Sequence, residues 1–226
     1  MDIPATASRS FDAFLFDMDG TIINSTAAAE RVWGAWAQRQ KLDVAAFLKT
    51  IHGVRGVETI EKLNLPGIDP KAEAAAVLLA EMDDVEGIVP IAGAASFLAS
   101  LPANRWGIVT SAPRRLAEHR LKAAGLPLPP MMVSGEEVLR GKPAPDCFLL
   151  GADRLGQPIE NCLVFEDAPA GIEAAEAAGA AVIVIGAAHA TPFATRHPTI
   201  SSYDLLLAEH DAGGGIGLTF SANALN

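Results

Sequence analysis

The sequence is poor in cysteine and in positive charge. Its 226 residues include two cysteines, Cys147 and Cys162, and neither has the CxxC or Cys/His spacing of a metal site. Two thiols in a chain of this length do not build a disulfide framework, so we expect a reducing compartment. The 17 lysines and arginines are outnumbered by 27 acidic residues, which gives a formal net charge of −10. Because nucleic acids and anionic membranes are bound by clustered basic residues, neither is an expected partner.

Long apolar runs are missing as well. No stretch reaches the roughly 18 apolar residues of a membrane span, and residues 1–10 lack the apolar segment of a signal peptide. We therefore expect a cytoplasmic monomer whose partner is a small molecule. Apolar residues make up 50% of the chain, which is enough for one core, or for one core with a small inserted domain.

Short apolar runs alternate with stretches of helical periodicity along most of the chain. The runs are continuous, which is typical of strands buried on both faces of a parallel sheet. This pattern predicts an α/β fold, a Rossmann-like doubly wound parallel sheet flanked by helices. The predicted strands are 11–17, 106–110, 131–133, 162–165 and 182–185. Residues 203–207 fit either a short strand or a last helix, and we expect the glycine-rich tail beyond Asp211 to be mobile or to form an edge hairpin.

The region from about residue 24 to residue 86 contains no strand-like run. The dipeptide Asp69-Pro70 is a strong helix start, with Asp as the cap and Pro at the first helical position. The region therefore predicts an all-helical cap domain, residues 23–86, inserted into a core domain formed by 1–22 and 87–226. Apolar residues recur in it at the spacing of one helix face, as in Ala29, Val32, Trp33, Trp36 and Ala37.

The first predicted strand runs directly into Asp17 and Asp19. Ligands bind at the carboxyl ends of strands in an open α/β sheet. Two carboxylates this close resist ionising together, and a divalent cation with its preference for oxygen ligands would cancel the repulsion. The alternative is an ordinary Asp-Gly turn after a strand.

Polar residues also follow three later strands or loops, and we expect all of them at the same edge of the sheet. They are Thr110-Ser111, Lys142 and Glu166-Asp167. Each has a simpler explanation: Ser111 as the cap of the next helix, Lys142 as a solvated loop residue, and Glu166-Asp167 as a helix cap. All of them together are much less expected by accident than any one alone.

These groups fit phosphoryl transfer. A Mg²⁺ held by Asp17, the Asp19 backbone carbonyl and Asp167 would offset the negative charge of a phosphate. Lys142 would neutralise one phosphoryl oxygen, and Ser111, with free N–H groups at a helix start, would bind another. Asp17 would attack phosphorus and form an aspartyl-phosphate, while Asp19 would protonate the leaving alkoxide and later deprotonate water.

Four segments resemble, in order and position, the motifs of the haloacid dehalogenase superfamily in its phosphatase-type branch, over about residues 11–190. They are Asp17-Met18-Asp19-Gly20-Thr21, Val109-Thr110-Ser111, Lys142-Pro143 and Glu166-Asp167-Ala168-Pro169-Ala170-Gly171. The resemblance implies a helical cap after the first strand and a Mg²⁺ cofactor.

The same resemblance assigns roles to single residues. It implies Asp17 as nucleophile, Asp19 as acid and base, and Lys142 as the phosphate-binding lysine. It implies a phosphate-binding loop at 110–112, with the Ser111 hydroxyl and its neighbours Thr110 and Ala112. Asp167 is the expected direct metal ligand, with Glu166 behind it or as an occasional ligand.

Asp19 and the acidic pair argue against the dehalogenases, which need neither an acid nor Mg²⁺. The segments resemble most the sugar-phosphate and glycerol-phosphate phosphatases. We therefore expect a Mg²⁺-dependent phosphatase of small sugar phosphates, acting through an aspartyl-phosphate.

The cap segment 51–56 is the expected determinant of substrate choice. Its two glycines allow close approach to a ligand, and His52 and Arg55 are placed to bind sugar hydroxyls or a second phosphate. The simpler explanation is a helix-breaking turn with an exposed arginine. Arg55 also keeps one alternative function open, a β-phosphoglucomutase-like sugar phosphomutase, because a mutase needs a cap group for the non-reacting phosphate.

Overall fold

The computed structural model describes residues 10–189, 194–210 and 214–220. The strands are β1 (Ser10–Phe11), β2 (Ala13–Phe16), β3 (Ile23–Asn24), β4 (Val89–Pro90), β5 (Trp106–Val109), β6 (Met132–Val133), β7 (Cys162–Glu166), β8 (Ala181–Ile185), β9 (Thr199–Ile200), β10 (Leu206–His210) and β11 (Ile216–Phe220). The helices are α1 (Thr26–Arg39), α2 (Val44–Leu48), α3 (Gly56–Leu63), α4 (Pro70–Asp83), α5 (Ala94–Ser100), α6 (Arg114–Ala123), α7 (Asp146–Arg154) and α8 (Pro169–Ala178).

A six-stranded parallel sheet lies at the centre, in the order β6-β5-β2-β7-β8-β9. The fold class predicted from the continuous apolar runs is confirmed. Every residue of β2, β5 and β7 is buried, as expected for inner strands covered on both faces. Because all six strands run the same way, their carboxyl ends share one edge of the sheet.

Two apolar layers pack on the two faces of this sheet, because successive side chains of a strand point to opposite faces. Phe14 and Phe16 of β2 join one layer, where Phe16 stacks on Phe165 with ring centroids 4.6 Å apart. Ala13 and Leu15 join the other layer, which helices α7 and α8 cover.

Helices α1 to α4 pack on one another around a separate apolar cluster. Trp33, Trp36, Phe47 and Ile60 lie at its centre, so the tryptophans pack these helices as the periodicity indicated. Asp69 caps α4 by accepting from the backbone N–H groups of the next turn, with Pro70 at the first helical position, as predicted. The short strands β3 and β4, which we did not predict, pair antiparallel where this helical segment leaves the core and returns to it.

The last part of the chain forms a small antiparallel sheet in the order β1-β11-β10. Segment 203–207 is a 3₁₀ turn followed by the start of β10. Strand β10 pairs with β11 as a hairpin, one of the two outcomes expected for the tail. Residues 211–213 and 221–226, also part of that prediction, lie outside the described residues. Among the described residues, no helix is both long and apolar enough to cross a membrane.

Candidate active site

The carboxyl edge of the sheet brings together polar residues from three strands and one loop. Asp17 follows β2, Thr110 follows β5 and Glu166 ends β7, while Lys142 reaches the same place from the loop before α7. All four are buried, with at most 4% of their surface exposed. The interpretation of Lys142 as a solvated loop residue is therefore wrong.

Lys142 is the centre of the first cluster. Its ammonium donates to Asp17 Oδ1 at 2.5 Å, to Glu166 Oε1 at 2.8 Å and to the Val109 carbonyl at 3.3 Å. The Phe148 ring lies beneath it, with its centroid 5.0 Å from Nζ. Three directed hydrogen bonds and a ring fix the ammonium in one position, so it can act as a preorganised positive charge.

Burial and charge act against each other in this cluster. Burial raises the pKa of Asp17 well above its ordinary value, although Lys142 opposes this. Burial lowers the pKa of Lys142, but the carboxylates of Asp17 and Glu166 outweigh it, so the net pKa is raised and the lysine stays charged. One ammonium thus compensates part of the charge of a larger acidic group.

Asp167 completes that acidic group. Oxygens of Asp17, Glu166 and Asp167 lie within 4.8 Å of one another, an arrangement that can hold a metal ion. Thr21 donates to Asp167 Oδ1 at 3.0 Å, and a Cβ at position 20 would lie 2.1 Å from Oδ2, so glycine is required there. Burial raises the pKa of Asp167 to about 6, with His189 opposing the rise.

Glu166 also supports the loop that holds Asp167. Its Oε2 accepts from the backbone N–H groups of Asp167 and Ala168 at 2.6 and 2.7 Å, at the start of α8. These N–H groups precede Pro169, the first helical residue, and α8 has no side-chain cap hydrogen bond, so Glu166 supports the loop and does not cap the helix. His189 Nε2 lies 2.8 Å from the Asp167 carbonyl oxygen.

Asp19 belongs to a second cluster, centred on Arg120 of α6. Asp19 Oδ1 accepts from Ser25 Oγ at 2.5 Å and from Arg120 Nη1 at 2.9 Å. Arg120 Nη2 donates to Glu81 Oε1 at 3.0 Å, and the Trp33 indole donates to the same oxygen at 3.1 Å. A buried guanidinium therefore connects Asp19 of the core with α4 and α1 of the helical segment.

Ser111 contacts the helical segment directly. Its hydroxyl donates to the Gly53 carbonyl at 2.9 Å, whereas the Ala112 N–H donates to Thr110 Oγ1 at 3.1 Å. Helix α6 begins after Pro113 without a side-chain cap, so Ser111 does not cap it. A Cβ at Gly53 would lie 2.6 Å from the Ala168 side chain, which shows how closely segment 51–56 approaches α8.

Arg55 is not an exposed turn residue. Its guanidinium donates to the carbonyls of Gly135, Val138 and Leu139 at 3.0–3.2 Å and pairs with Glu58. His52 is partly buried, and burial lowers its pKa. Both residues line the site, but the Arg55 guanidinium is already hydrogen-bonded to the backbone of loop 135–139.

A cavity of about 320 Å³ lies between the sheet edge and the helical segment. Asp17, Asp19, Ser111 and Asp167 line it from the core side. The helical segment contributes mostly apolar side chains and a few polar ones: Ala29, Trp33, His52, Val54, Arg55, Ala74, Val77, Leu78 and Glu81. The size fits a small molecule.

The sequence reasoning missed Arg120, Glu81 and Ser25. A signal for the first was present, because Arg120 shares a helix face with the buried Leu116 and Leu121. A charged residue on an apolar face is a candidate buried ion pair. Its partner, 39 positions away in another part of the fold, was not predictable from spacing.

The comparisons with known proteins agree with this geometry. Residues 11–179 match the family described as haloacid dehalogenase-like hydrolase. Hexitol phosphatase A of Escherichia coli (strain K12) is 41% identical over 185 residues, covering 79% of this chain and 85% of that protein. 2-Deoxyglucose-6-phosphate phosphatase 2 of Saccharomyces cerevisiae (strain ATCC 204508 / S288c) is 34% identical over 203 residues, covering 78% and 80%.

A solved structure agrees as well. A hydrolase from Pseudomonas syringae superposes with a TM-score of 0.69 at 27% identity, covering 78% of this chain and 84% of the other. Fold and relatives together define an enzyme, a hydrolase of phosphoric monoesters. The chain belongs to the haloacid dehalogenase-like hydrolases, as its motifs predicted.

Proposed function

We propose that this enzyme is a Mg²⁺-dependent phosphatase of small sugar phosphates that works through an aspartyl-phosphate on Asp17. The observation that carries the proposal is the convergence of Asp17, Lys142, Glu166 and Asp167 at one edge of the sheet, where Asp17 and Asp167 line a cavity of small-molecule size. The names of the curated relatives, a hexitol phosphatase and a 2-deoxyglucose-6-phosphate phosphatase, support the substrate class.

The residues present fit a divalent cation. Three buried carboxylates face one ammonium, and burial raises the pKa of both Asp17 and Asp167, so the cluster lacks positive charge. A hard cation with oxygen ligands meets that need. Asp17, Asp167, Glu166 and the Asp19 backbone carbonyl are the groups that would hold Mg²⁺. When bound, the ion offsets the charge between an anionic nucleophile and an anionic phosphate.

In the first step, Asp17 uses Oδ2, which has no hydrogen-bond partner among the described residues. The carboxylate attacks phosphorus while the bond from phosphorus to the sugar oxygen breaks. Asp19 gives its proton to that oxygen, so the sugar leaves as a neutral alcohol. Lys142 keeps Asp17 Oδ1 in place and neutralises charge on the phosphoryl group.

In the second step, Asp19 takes a proton from water and the water oxygen attacks phosphorus. The Asp17 carboxylate leaves, and inorganic phosphate is formed. Among the residues that the structure describes, Arg120 and Ser25 donate to the Asp19 side chain, and both donate to Oδ1. Oδ2 is the oxygen available for both proton transfers.

We also propose that the Ser111 hydroxyl binds a phosphoryl oxygen, together with the backbone at Thr110 and Ala112. The Ser111 hydroxyl would exchange its present acceptor, the Gly53 carbonyl, for the phosphate. His52 and Arg55 remain predicted substrate contacts. The location in the cytoplasm and the monomeric state also remain predictions.

The division into a core, residues 1–22 and 87–226, and a cap, residues 23–86, is part of the same proposal. Helices α1 to α4 with their own apolar cluster support it, as does the β3–β4 pair at the two connections. A cap of this kind closes over the substrate and limits the access of water.

The test is phosphate release from a panel of sugar phosphates, with Mg²⁺ and with a chelator. We expect release only with Mg²⁺ and highest kcat/KM for a hexose or hexitol phosphate. Absence of release from every ester in the presence of Mg²⁺ would contradict the proposal. Conversion of glucose 1-phosphate to glucose 6-phosphate without release would establish the mutase alternative instead.

A further inference from the structure

Glu81 of α4 has a buried carboxylate in which only one oxygen accepts hydrogen bonds from the described residues. Only 9% of the residue is exposed, and it lines the cavity. Trp33 Nε1 and Arg120 Nη2 both donate to Oε1. Oε2 has no hydrogen-bond partner among the described residues. Burial raises the pKa of Glu81, and Arg120 opposes that rise.

The two arginines that line the cavity are already engaged. Arg120 is 5% exposed and pairs with Asp19 and Glu81, and Arg55 donates to three carbonyls and to Glu58. No lysine is among the described residues that line this cavity. Arg55 Nε and Arg120 Nε have no hydrogen-bond partner in the described part of the chain, but both atoms are buried. Among the described residues, the part of the cavity away from Lys142 thus offers a carboxylate acceptor and no exposed, unpaired guanidinium or ammonium for a second anion.

We propose that Glu81 recognises a hydroxyl group of the substrate and thereby selects monophosphates of neutral polyols over bisphosphates. The inference rests on the proposed phosphatase function and deepens it. Arg120 is the positioning residue of this site, because it holds Glu81 Oε1 and leaves Oε2 to the ligand. The same guanidinium holds Asp19. Arg120 therefore positions both Glu81, which binds the leaving group, and Asp19, which protonates it.

The chemistry follows from the charge of the group. A buried carboxylate oxygen accepts a hydrogen bond from a neutral hydroxyl strongly, and an analogue without that hydroxyl leaves the oxygen desolvated and unpaired. A second phosphate at this place would meet Glu81 and Asp19 as like charges. Selection therefore combines an attractive contact for the polyol with a repulsive one for the bisphosphate.

The experiment compares Glu81→Gln and Glu81→Leu with the unchanged enzyme, all with Mg²⁺. The matched control is Glu73→Gln, because Glu73 lies on the same helix and accepts from the Trp36 indole but does not line the cavity. The esters are glucitol 6-phosphate, its monodeoxy analogues, glucose 1,6-bisphosphate and ethyl phosphate, whose alkyl group carries no hydroxyl and whose leaving group needs the same protonation by Asp19. Circular dichroism checks that each variant is folded.

We expect the ratio of kcat/KM for glucitol 6-phosphate to that for ethyl phosphate to fall about tenfold in Glu81→Gln and further in Glu81→Leu. The ratio should not change in Glu73→Gln. One monodeoxy analogue should be a poor substrate of the unchanged enzyme, by about tenfold or more, and that penalty should shrink in both Glu81 variants. In Glu81→Gln, kcat/KM for glucose 1,6-bisphosphate should rise relative to kcat/KM for the monophosphate.

The results separate this inference from the proposed function. Equal losses on glucitol 6-phosphate and ethyl phosphate, or deoxy penalties that persist in both variants, would overturn the role of Glu81 and leave the phosphatase function intact. Efficient use of the bisphosphate by the unchanged enzyme would overturn the selection against a second anion. An unchanged enzyme that hydrolyses none of these esters would overturn the phosphatase function, and the role of Glu81 with it.

Discussion

Lys142 and Arg120 are two buried cations that each hold one member of the Asp17–Asp19 pair, but they connect different parts of the molecule. Lys142 joins groups that all lie at the carboxyl edge of the sheet, and it reaches Glu166 as well as Asp17. Arg120 joins Asp19 to Glu81 in the helical segment. Asp17 and Asp19 are separated by one residue and yet belong to different electrostatic clusters.

The largest effect on activity is expected from changing Asp17, the proposed nucleophile of the first cluster. Asp17→Asn keeps the shape of the side chain but removes the attacking carboxylate, and Lys142 keeps Glu166 as a partner. We expect kcat to fall by about 10⁵-fold with the fold retained. Phosphate release and circular dichroism check this, and turnover of Asp17→Asn near that of the unchanged enzyme would refute the aspartyl-phosphate.

Removing the cation of the first cluster should have the next largest effect. Lys142→Met leaves buried carboxylates uncompensated, so we expect about 10³-fold lower kcat and a loss of about 3–5 kcal/mol in the free energy of unfolding. Mg²⁺ should restore part of that stability, because it supplies positive charge to the same carboxylates. Urea unfolding with Mg²⁺ and with a chelator measures this. The exposed Lys122→Met is the control.

Removing the cation of the second cluster should lower kcat less than removing that of the first. Arg120→Met leaves Asp19 and Glu81 without their guanidinium, and we expect kcat about 10- to 100-fold lower with a loss of about 3–5 kcal/mol in stability. Arg115→Met, an exposed position on the same helix, should change neither. If Mg²⁺ rescued Arg120→Met as well as it rescues Lys142→Met, the two clusters would not be separate systems.

The smallest effect on activity is expected from a carboxylate outside both clusters. Glu137 accepts from Ser134, Arg114 and Arg154. Although burial opposes the change, these bonds, led by that from Arg154, lower its pKa from 4.5 to about 2. We expect Glu137→Gln to lose about 1–2 kcal/mol of stability at pH 7 with kcat nearly unchanged.

The pH dependence of that loss has a fixed sign. A lowered pKa means that the stabilisation is complete above pH 4.5 and disappears as the pH falls towards 2. The difference in the free energy of unfolding between the unchanged enzyme and Glu137→Gln should shrink over that interval. A difference that grows on acidification would show that these hydrogen bonds do not stabilise the ionised form.

The same comparison shows which contacts were predictable from sequence. Asp17, Lys142 and Glu166 follow strands or loops of a parallel sheet, and the topology of such a sheet brings those positions together whatever the distance in sequence. Arg120 lies in a helix that also carries Arg114, Arg115 and Lys122, and only its position on the apolar face distinguishes it. No topological rule places it beside Glu81, because their contact depends on how the helical segment packs on the core.

The short elements were unpredictable for a related reason. Strands β3, β4 and β9 have two residues each, so no period can be read from them. Strands β3 and β4 pair with each other, and β9 pairs with β8. Ser25 directly precedes α1 and is of a residue type common at helix caps, yet its hydroxyl donates to Asp19 and no side-chain cap bond is present at α1. A tertiary partner therefore takes the hydrogen bond that a local cap would have used.

The hydrogen bond between Ser111 and Gly53 has a kinetic consequence. In the proposed function, the Gly53 carbonyl and a phosphoryl oxygen compete for the single proton that the Ser111 hydroxyl can donate. On that proposal, binding of the substrate phosphate breaks the hydrogen bond from Ser111 to segment 51–56, and free inorganic phosphate must displace the Gly53 carbonyl before it can inhibit. Product inhibition by phosphate should accordingly strengthen in any variant in which this carbonyl is drawn away from Ser111.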